Sequence, residues 1–287
     1  MPRTLSPLRY PGGKTQLYKF VKNLIEQNNI YLPIYVEPFA GGAGLAIELL
    51  LNGDVDSIII NDFDKSIYSF WSCVLYDTTN FISLIEKTPI NITEWEKQKK
   101  IYNNQQNYSC LEVGFATFYL NRTNRSGIIK GGPISRDDSG QYKLDCRFNK
   151  VDLISKIRRI SSLKERINLY NYDAIYLIKH VIPNFSKSKL FIFFDPPYYK
   201  QGKNLYTNFY NHEDHRELCY EIKGISDSHW ITTYDFNEAI ANMYKDLPKK
   251  VYQIHYSANR KRKEKEFLFH NIKTKVDSFD KVQFIEY

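Results

Sequence analysis

No apolar run in this sequence is long. Residues 58–60 and 190–194 are the most continuous, and both fall far short of the roughly 20 residues a membrane span needs. Residues 1–14 contain Arg3, Arg9, Gly12 and Gly13 but no apolar core, so no secretory signal is read there. Cysteine is sparse. Cys73, Cys110, Cys146 and Cys219 stand at intervals that match neither a zinc site nor a redox pair. With no export signal, reduced buried thiols in a cytoplasm are expected. The histidines form no ligand pattern: His212 and His215 are three apart, not four as in a helical H-E-x-x-H, so no metal is expected. Internal repeats and low-complexity linkers are also missing.

What remains is a chain of 287 residues, 43% apolar and 25% charged. That balance excludes a disordered or fibrous protein and suits one large domain, or one domain carrying a second module. The formal charge is +8, and it is unevenly placed. Residues 121–166 hold twelve Lys and Arg against five Asp and Glu, and residues 260–265 hold five against one. Two solvated basic faces would explain this; an anionic partner, nucleic acid above all, explains the concentration better.

Periodicity predicts a helix over 17–26, a strand over 35–39 running through a glycine loop into a helix over 45–51, and a doubly apolar strand over 57–62. Residues 67–106 and 108–121 read as helical, a Gly-rich stretch follows (Gly127, Gly131, Gly132, Gly140), and 152–166 reads as a basic helix. Strand signals return at 167–170, 190–194 and 230–234. The order is that of an α/β sheet interrupted by a mostly helical insert.

Two glycine motifs need weighing. Gly13-Lys14-Thr15 lacks the glycine a P-loop needs five residues earlier, where Leu8 stands, and no strand precedes it. Gly42-Ala43-Gly44 sits at a strand-to-helix junction, where backbone can approach a cofactor and the helix N-terminus offers N–H donors. Asp62 closes the next strand, placed to accept from ribose hydroxyls. A dinucleotide fingerprint would need glycine where Ile47 stands, so a nucleoside cofactor without pyrophosphate fits better. Further on, the apolar run 190–194 ends in Asp195-Pro196-Pro197-Tyr198-Tyr199. Consecutive prolines fix a rigid corner past the strand's carboxyl end, where open α/β sheets bind ligands.

At these residues the chain resembles the Dam-like (D12 class, α group) DNA adenine N-6 methyltransferases. The resemblance covers nearly the whole chain. It is carried by Leu8-Arg9-Tyr10-Pro11-Gly12-Gly13-Lys14, by residues 36–44, by Asn61-Asp62, by Tyr119-Leu120-Asn121-Arg122 with Ser126-Gly127, and by Asp195-Pro196-Pro197-Tyr198. It implies a Rossmann-like S-adenosylmethionine-dependent domain (1–66 and 160–287) with an inserted target-recognition domain (67–159). It implies S-adenosylmethionine as methyl donor, held by Tyr10, Lys14, Glu37, Phe39, Gly41, Gly42, Gly44, Asp62 and Asp195. It implies catalysis by Asp195, Pro196, Pro197 and Tyr198 on a flipped adenine, the Tyr198 ring face stacking on the base and its hydroxyl unused. Asn in place of Asp195 is expected to keep partial activity.

Duplex DNA would be contacted by Arg122, Arg125, Lys130, Arg136, Arg147, Arg260 and Arg262. The implied protein is a cytoplasmic monomer that binds no membrane and serves either a restriction-modification system, with a cognate restriction endonuclease as genetic companion, or another phage or bacterial DNA modification. Lys130, Arg125 and Ser126 depart from relatives reading G-A-T-C, which puts the recognised sequence in doubt. Methylation of another amide-like nitrogen, and a non-catalytic DNA-binding descendant, remain as rivals.

Overall fold

The computed structural model describes residues 4–9, 14–136, 142–199, 210–256 and 262–286. Seven strands form one sheet in the order β3-β2-β1-β4-β5-β7-β6. They are β1 (Ile34–Glu37), β2 (Ser57–Asn61), β3 (Ile167–Tyr170), β4 (Leu190–Phe194), β5 (His229–Asp235), β6 (Lys249–Tyr256) and β7 (Arg262–His270). The first five are mutually parallel, while β7 runs antiparallel to both β5 and β6. The strand order reverses between β1 and β4, so a crevice opens at their carboxyl ends. This is the Rossmann-like α/β architecture expected.

The strands alternate cleanly between two cores, as a period of two dictates. Phe191 and Phe193 of β4, with Ile58 and Ile60 of β2, face one cluster. Leu190, Ile192, Phe194 and Ile59 face the other, against Leu177, Leu218 and Ile222. Such strands are buried on both faces, which is why they read as unbroken apolar runs.

Helices α1 (Tyr18–Gln27) and α2 (Gly44–Leu51) fall where periodicity places them. The helical reading of 67–106 resolves into α3 (Lys65–Tyr76), α4 (Thr78–Lys87) and α5 (Ile92–Asn103). Asp64 opens α3 by accepting from the Ser66 N–H, the chain breaks at Asp77, and Asn91 opens α5 by accepting from the Glu94 N–H. Next come α6 (Cys110–Thr123), opened by a Ser109–Glu112 capping box, and α7 (Lys150–Ser161). The insert's aromatics Phe70, Trp71, Phe81 and Phe118 belong to the same apolar cluster as β2 and β4. The helical insert therefore packs directly on one face of the sheet.

Two expectations need correcting. The hairpin β6–β7 was not anticipated, because its polar half reads as a solvated charge run. Nor are all the thiols buried: Cys73 and Cys219 are, but Cys110 and Cys146 are exposed, since Cys110 opens α6 and Cys146 lies in the loop before α7. Among the described residues no helix is long and apolar enough to cross a membrane, and no three His, Cys, Asp or Glu side chains gather as metal ligands would.

Candidate active site

Three carboxyl groups converge at the carboxyl ends of β1, β2 and β4. Glu37 closes β1 and is buried. Its Oε1 accepts from the Tyr35 hydroxyl at 3.0 Å and from the Ala46 N–H at 3.2 Å, so it occupies one of the orphan donors of α2. Burial, with Asp195 adding repulsion, pushes this carboxyl up to about 8. Asp62 follows β2. Its two oxygens accept the Gly41 N–H at 2.8 Å and the Asp64 N–H at 2.9 Å. Burial, with Asp64 beside it, pushes it up to about 7 against the pull of those donors.

The glycine loop between them is tightly drawn. Gly41 and Ala43 both take positive φ, 47° and 43°, a conformation glycine adopts without strain. The Gly41 carbonyl accepts from the Trp71 indole at 3.0 Å and the Gly42 carbonyl from Ser6 Oγ at 2.5 Å. A Cβ on Gly44 would strike Thr15 Oγ1, so the loop is pressed against the turn Lys14–Leu17. Phe39 packs edge-on to Tyr210, ring centres 5.9 Å apart.

Asp195 stands just beyond β4. Its Oδ1 lies 3.2 Å from Lys14 Nζ and accepts from Thr233 Oγ1 at 2.9 Å. Among the described residues, both of these partners meet Oδ1. Burial pushes this carboxyl up; the Lys14 ammonium opposes the shift. Pro196 is buried and Pro197 half-buried.

Sequence reasoning put Lys14 with the cofactor contacts, and the structure brings its ammonium into the Asp195 cluster. Nζ is also 3.3 Å from Glu266 Oε1, donates to the Tyr198 hydroxyl at 2.9 Å, and sits 5.3 Å from the centre of that ring. The Tyr198 hydroxyl in turn donates to Glu266 Oε1 at 2.5 Å. It is therefore engaged, where the sequence reading left it idle. Thr233 and Glu266 were missed: Thr233 lies on a strand whose pattern signals only burial, and Glu266 in a run of alternating charges that reads as a solvated face.

The expected DNA-contacting residues divide. Arg125, Lys130, Arg136 and Arg147 are exposed. Arg136 also lies over the Trp95 ring at 5.7 Å and 3.9 Å from Glu96. Arg122 turns inward: Nε donates to the Arg147 carbonyl at 2.7 Å and Nη1 to the Pro7 carbonyl at 3.4 Å. Burial, with Arg9 next, holds its guanidinium down at about 10. Arg9 was missed. Its Nη1 is buried with no hydrogen-bond partner among the described residues, and burial and the neighbouring Arg147 hold it below the usual value. Arg262 opens β7. Tyr10, Gly140 and Arg260 lie outside the described residues.

Asn121 ties this basic region to the N-terminal segment. It accepts the Arg9 N–H at 2.8 Å and donates to the carbonyls of Arg9 at 2.9 Å and Gly127 at 2.8 Å. Gly127, at φ 76°, has no room for a Cβ against the Arg9 carbonyl.

This geometry can be set beside known proteins. Residues 10–223 match the D12 class N6 adenine-specific DNA methyltransferases. The chain belongs to that family. The type II methyltransferase M.MjaIII of Methanocaldococcus jannaschii is 25% identical over 264 residues, 85% of this chain and 80% of that protein. Among solved structures, the Pyrococcus horikoshii protein PH1948, described as an RNA methyltransferase, aligns at TM-score 0.40 and 10% identity over 88% of this chain and 78% of its own. The rRNA methyltransferase AviRa of Streptomyces viridochromogenes aligns at 0.39 and 9% identity over 91% and 86%. Neither structural likeness is close enough to bear on function.

Proposed function

We propose that this D12-family methyltransferase transfers a methyl group from S-adenosylmethionine to the N-6 amine of an adenine flipped out of duplex DNA. The observation that carries the reading is the Asp195-Pro196-Pro197-Tyr198 corner, with one carboxylate oxygen fixed by Lys14 and Thr233 in a chain of this family.

The donor set fits the cofactor. Asp62 offers carboxylate oxygens to ribose hydroxyls, and the loop Gly41, Gly42, Gly44 allows close backbone approach. Asp195, paired with Lys14, brings a carboxylate to the crevice where a sulfonium would sit, and Glu37, Phe39 and Lys14 line the same crevice. When bound, the group supplies an electrophilic methyl on a positively charged sulfur.

The chain's own residues then prepare the nucleophile. Adenine's exocyclic amine is weak because its lone pair delocalises into the ring. Asp195 Oδ2 and the Pro196 carbonyl accept its two N–H bonds, which favours a pyramidal nitrogen with the lone pair aimed at the methyl. Fixed acceptors facing developing positive charge are electrostatic preorganisation, and holding the reactants in line supplies much of the rest. No covalent enzyme intermediate is needed: as the N–C bond formed, the S–C electron pair would stay with the departing neutral thioether and the amine's surplus proton would pass to Asp195 and on to solvent. Pro197 stiffens the corner, and Tyr198 offers a ring face to the flipped base.

Arg125, Lys130 and Arg136 serve as phosphate or base-edge contacts on duplex DNA, with Arg260 and Arg262 on the backbone. Arg9, Arg122 and Arg147 crowd together, and the buried unpartnered Arg9 nitrogen suits a phosphate oxygen. The insert 67–159 acts as the target-recognition domain of a cytoplasmic monomer, as in a modification enzyme paired with a restriction endonuclease. Incubation with methyl-labelled S-adenosylmethionine and duplex DNA, then nucleoside digestion and mass analysis, tests the reading. N6-methyladenosine of the deoxy series is the expected product. Labelled cytosine, or label only in RNA, would overturn it.

A further inference from the structure

We infer that Glu266 is a positioning residue for methyl transfer, holding Lys14 and Tyr198 in the arrangement that fixes Asp195. Glu266 lies on β7, opposite Asp235 of β5 and Tyr252 of β6, and is 1% exposed. Three donors converge on its carboxylate. Lys14 Nζ approaches Oε1 and Oε2 at 3.3 and 3.4 Å, Tyr198 donates to Oε1 at 2.5 Å, and the Tyr252 hydroxyl donates to Oε2. A buried carboxylate persists only with such partners, and here two of the three belong to the crevice.

Lys14 is the shared element. One ammonium bridges Asp195 Oδ1 and Glu266, so its direction is set from both sides and it cannot swing across to Asp195 Oδ2. Glu266 also fixes the Tyr198 hydroxyl, and with it the direction of the ring's long axis. It is buried behind the crevice and acts through Lys14 and Tyr198. The strand supplying it comes last in the chain, long after the Pro-Pro corner it steadies.

This inference rests on Asp195 Oδ2 receiving the adenine amine. Its test is single-turnover methylation by Glu266→Gln, Tyr198→Phe and the double variant of the full chain, with KM for duplex DNA and thermal midpoints measured alongside. Glu266→Gln should lower the chemical rate roughly 10–100-fold, the scale of misplaced catalytic groups, with KM within about twofold of wild type. Because Tyr198 and Glu266 act as one unit, the double variant should be slower than Glu266→Gln by much less than the Tyr198→Phe factor. A Glu266→Gln rate equal to wild type, or a loss fully additive with Tyr198→Phe, overturns the inference while leaving adenine methylation intact. Failure of the wild type itself to methylate adenine would instead remove the reading beneath it.

Discussion

Glu37 is a carboxyl held where water barely reaches. Its folded value is about 8 against 4.5 when unfolded, so the folded state binds its proton more tightly. The stability this contributes is complete below about pH 4.5 and is lost as pH rises through about 8. Denaturant titrations of the cofactor-free protein between these limits should show stability falling with pH, and Glu37→Gln should flatten that fall. Tyr198 carries a second residue-scale prediction. Removing its hydroxyl leaves buried Glu266 short of a donor, so Tyr198→Phe should cost roughly 1–3 kcal/mol in urea unfolding. An unchanged midpoint would mean the hydroxyl is dispensable. Asp62 and Asp195 stood out in the sequence because each ends an apolar strand, whereas Glu37 was singled out only through the family resemblance. Glu266 was not, because the alternating charges of residues 262–266 look like a solvated face until β6 and β5 bury one side of them.

The loop between α6 and Pro133 shows how an element is stiffened from behind. The Asn124 amide donates to the carbonyls of Ile128, Ile129 and Gly131, while its oxygen accepts from the Trp95 indole at 2.7 Å. Lys99 Nζ reaches the carbonyls of Ile129, Lys130 and Gly131 at 3.3, 2.9 and 3.4 Å. The exposed Arg125 and Lys130 therefore project from a rigid frame. Lys99→Met should loosen that frame, and limited trypsin digestion should cut after Lys130 faster than in wild type while the remaining chain stays resistant. An unchanged cutting rate would show that Lys99 is not needed. Lys130→Ala separates two roles: loss of discrimination at one base pair, about 1–3 kcal/mol, if it reads an edge, and a uniform loss if it holds phosphate. The glycines and the Asn121-Arg122 pair marked this loop in the sequence. Its internal bracing was invisible, because Lys99 reads as a surface charge on α5 until the loop folds back over it.

Across the whole molecule, the parallel strands bring residues more than 150 positions apart to one crevice edge, and the helical insert shares their core. The α/β class was legible as alternation of apolar runs and helices, whereas the spatial order of the strands was not read from the sequence and the last hairpin needed the tertiary context of β5. The surplus of positive charge lies mainly in the insert, so affinity for duplex DNA should fall linearly in log–log form with salt, at about −0.9 per phosphate contact. Lys14 and Thr233 both donate to Oδ1, so an amide at 195 must place its oxygen there and turn its NH2 group toward the adenine amine, donor against donor. The sequence alone suggested partial activity for Asn; the geometry predicts otherwise. The decisive measurement is single-turnover methylation of an adenine-containing duplex by Asp195→Asn, with DNA affinity measured in parallel. A loss on the order of 100–1,000-fold in rate, as severe as in Asp195→Ala and with affinity intact, is the predicted result. A rate for Asp195→Asn within about tenfold of wild type would contradict the assignment of Oδ2 as the amine's acceptor.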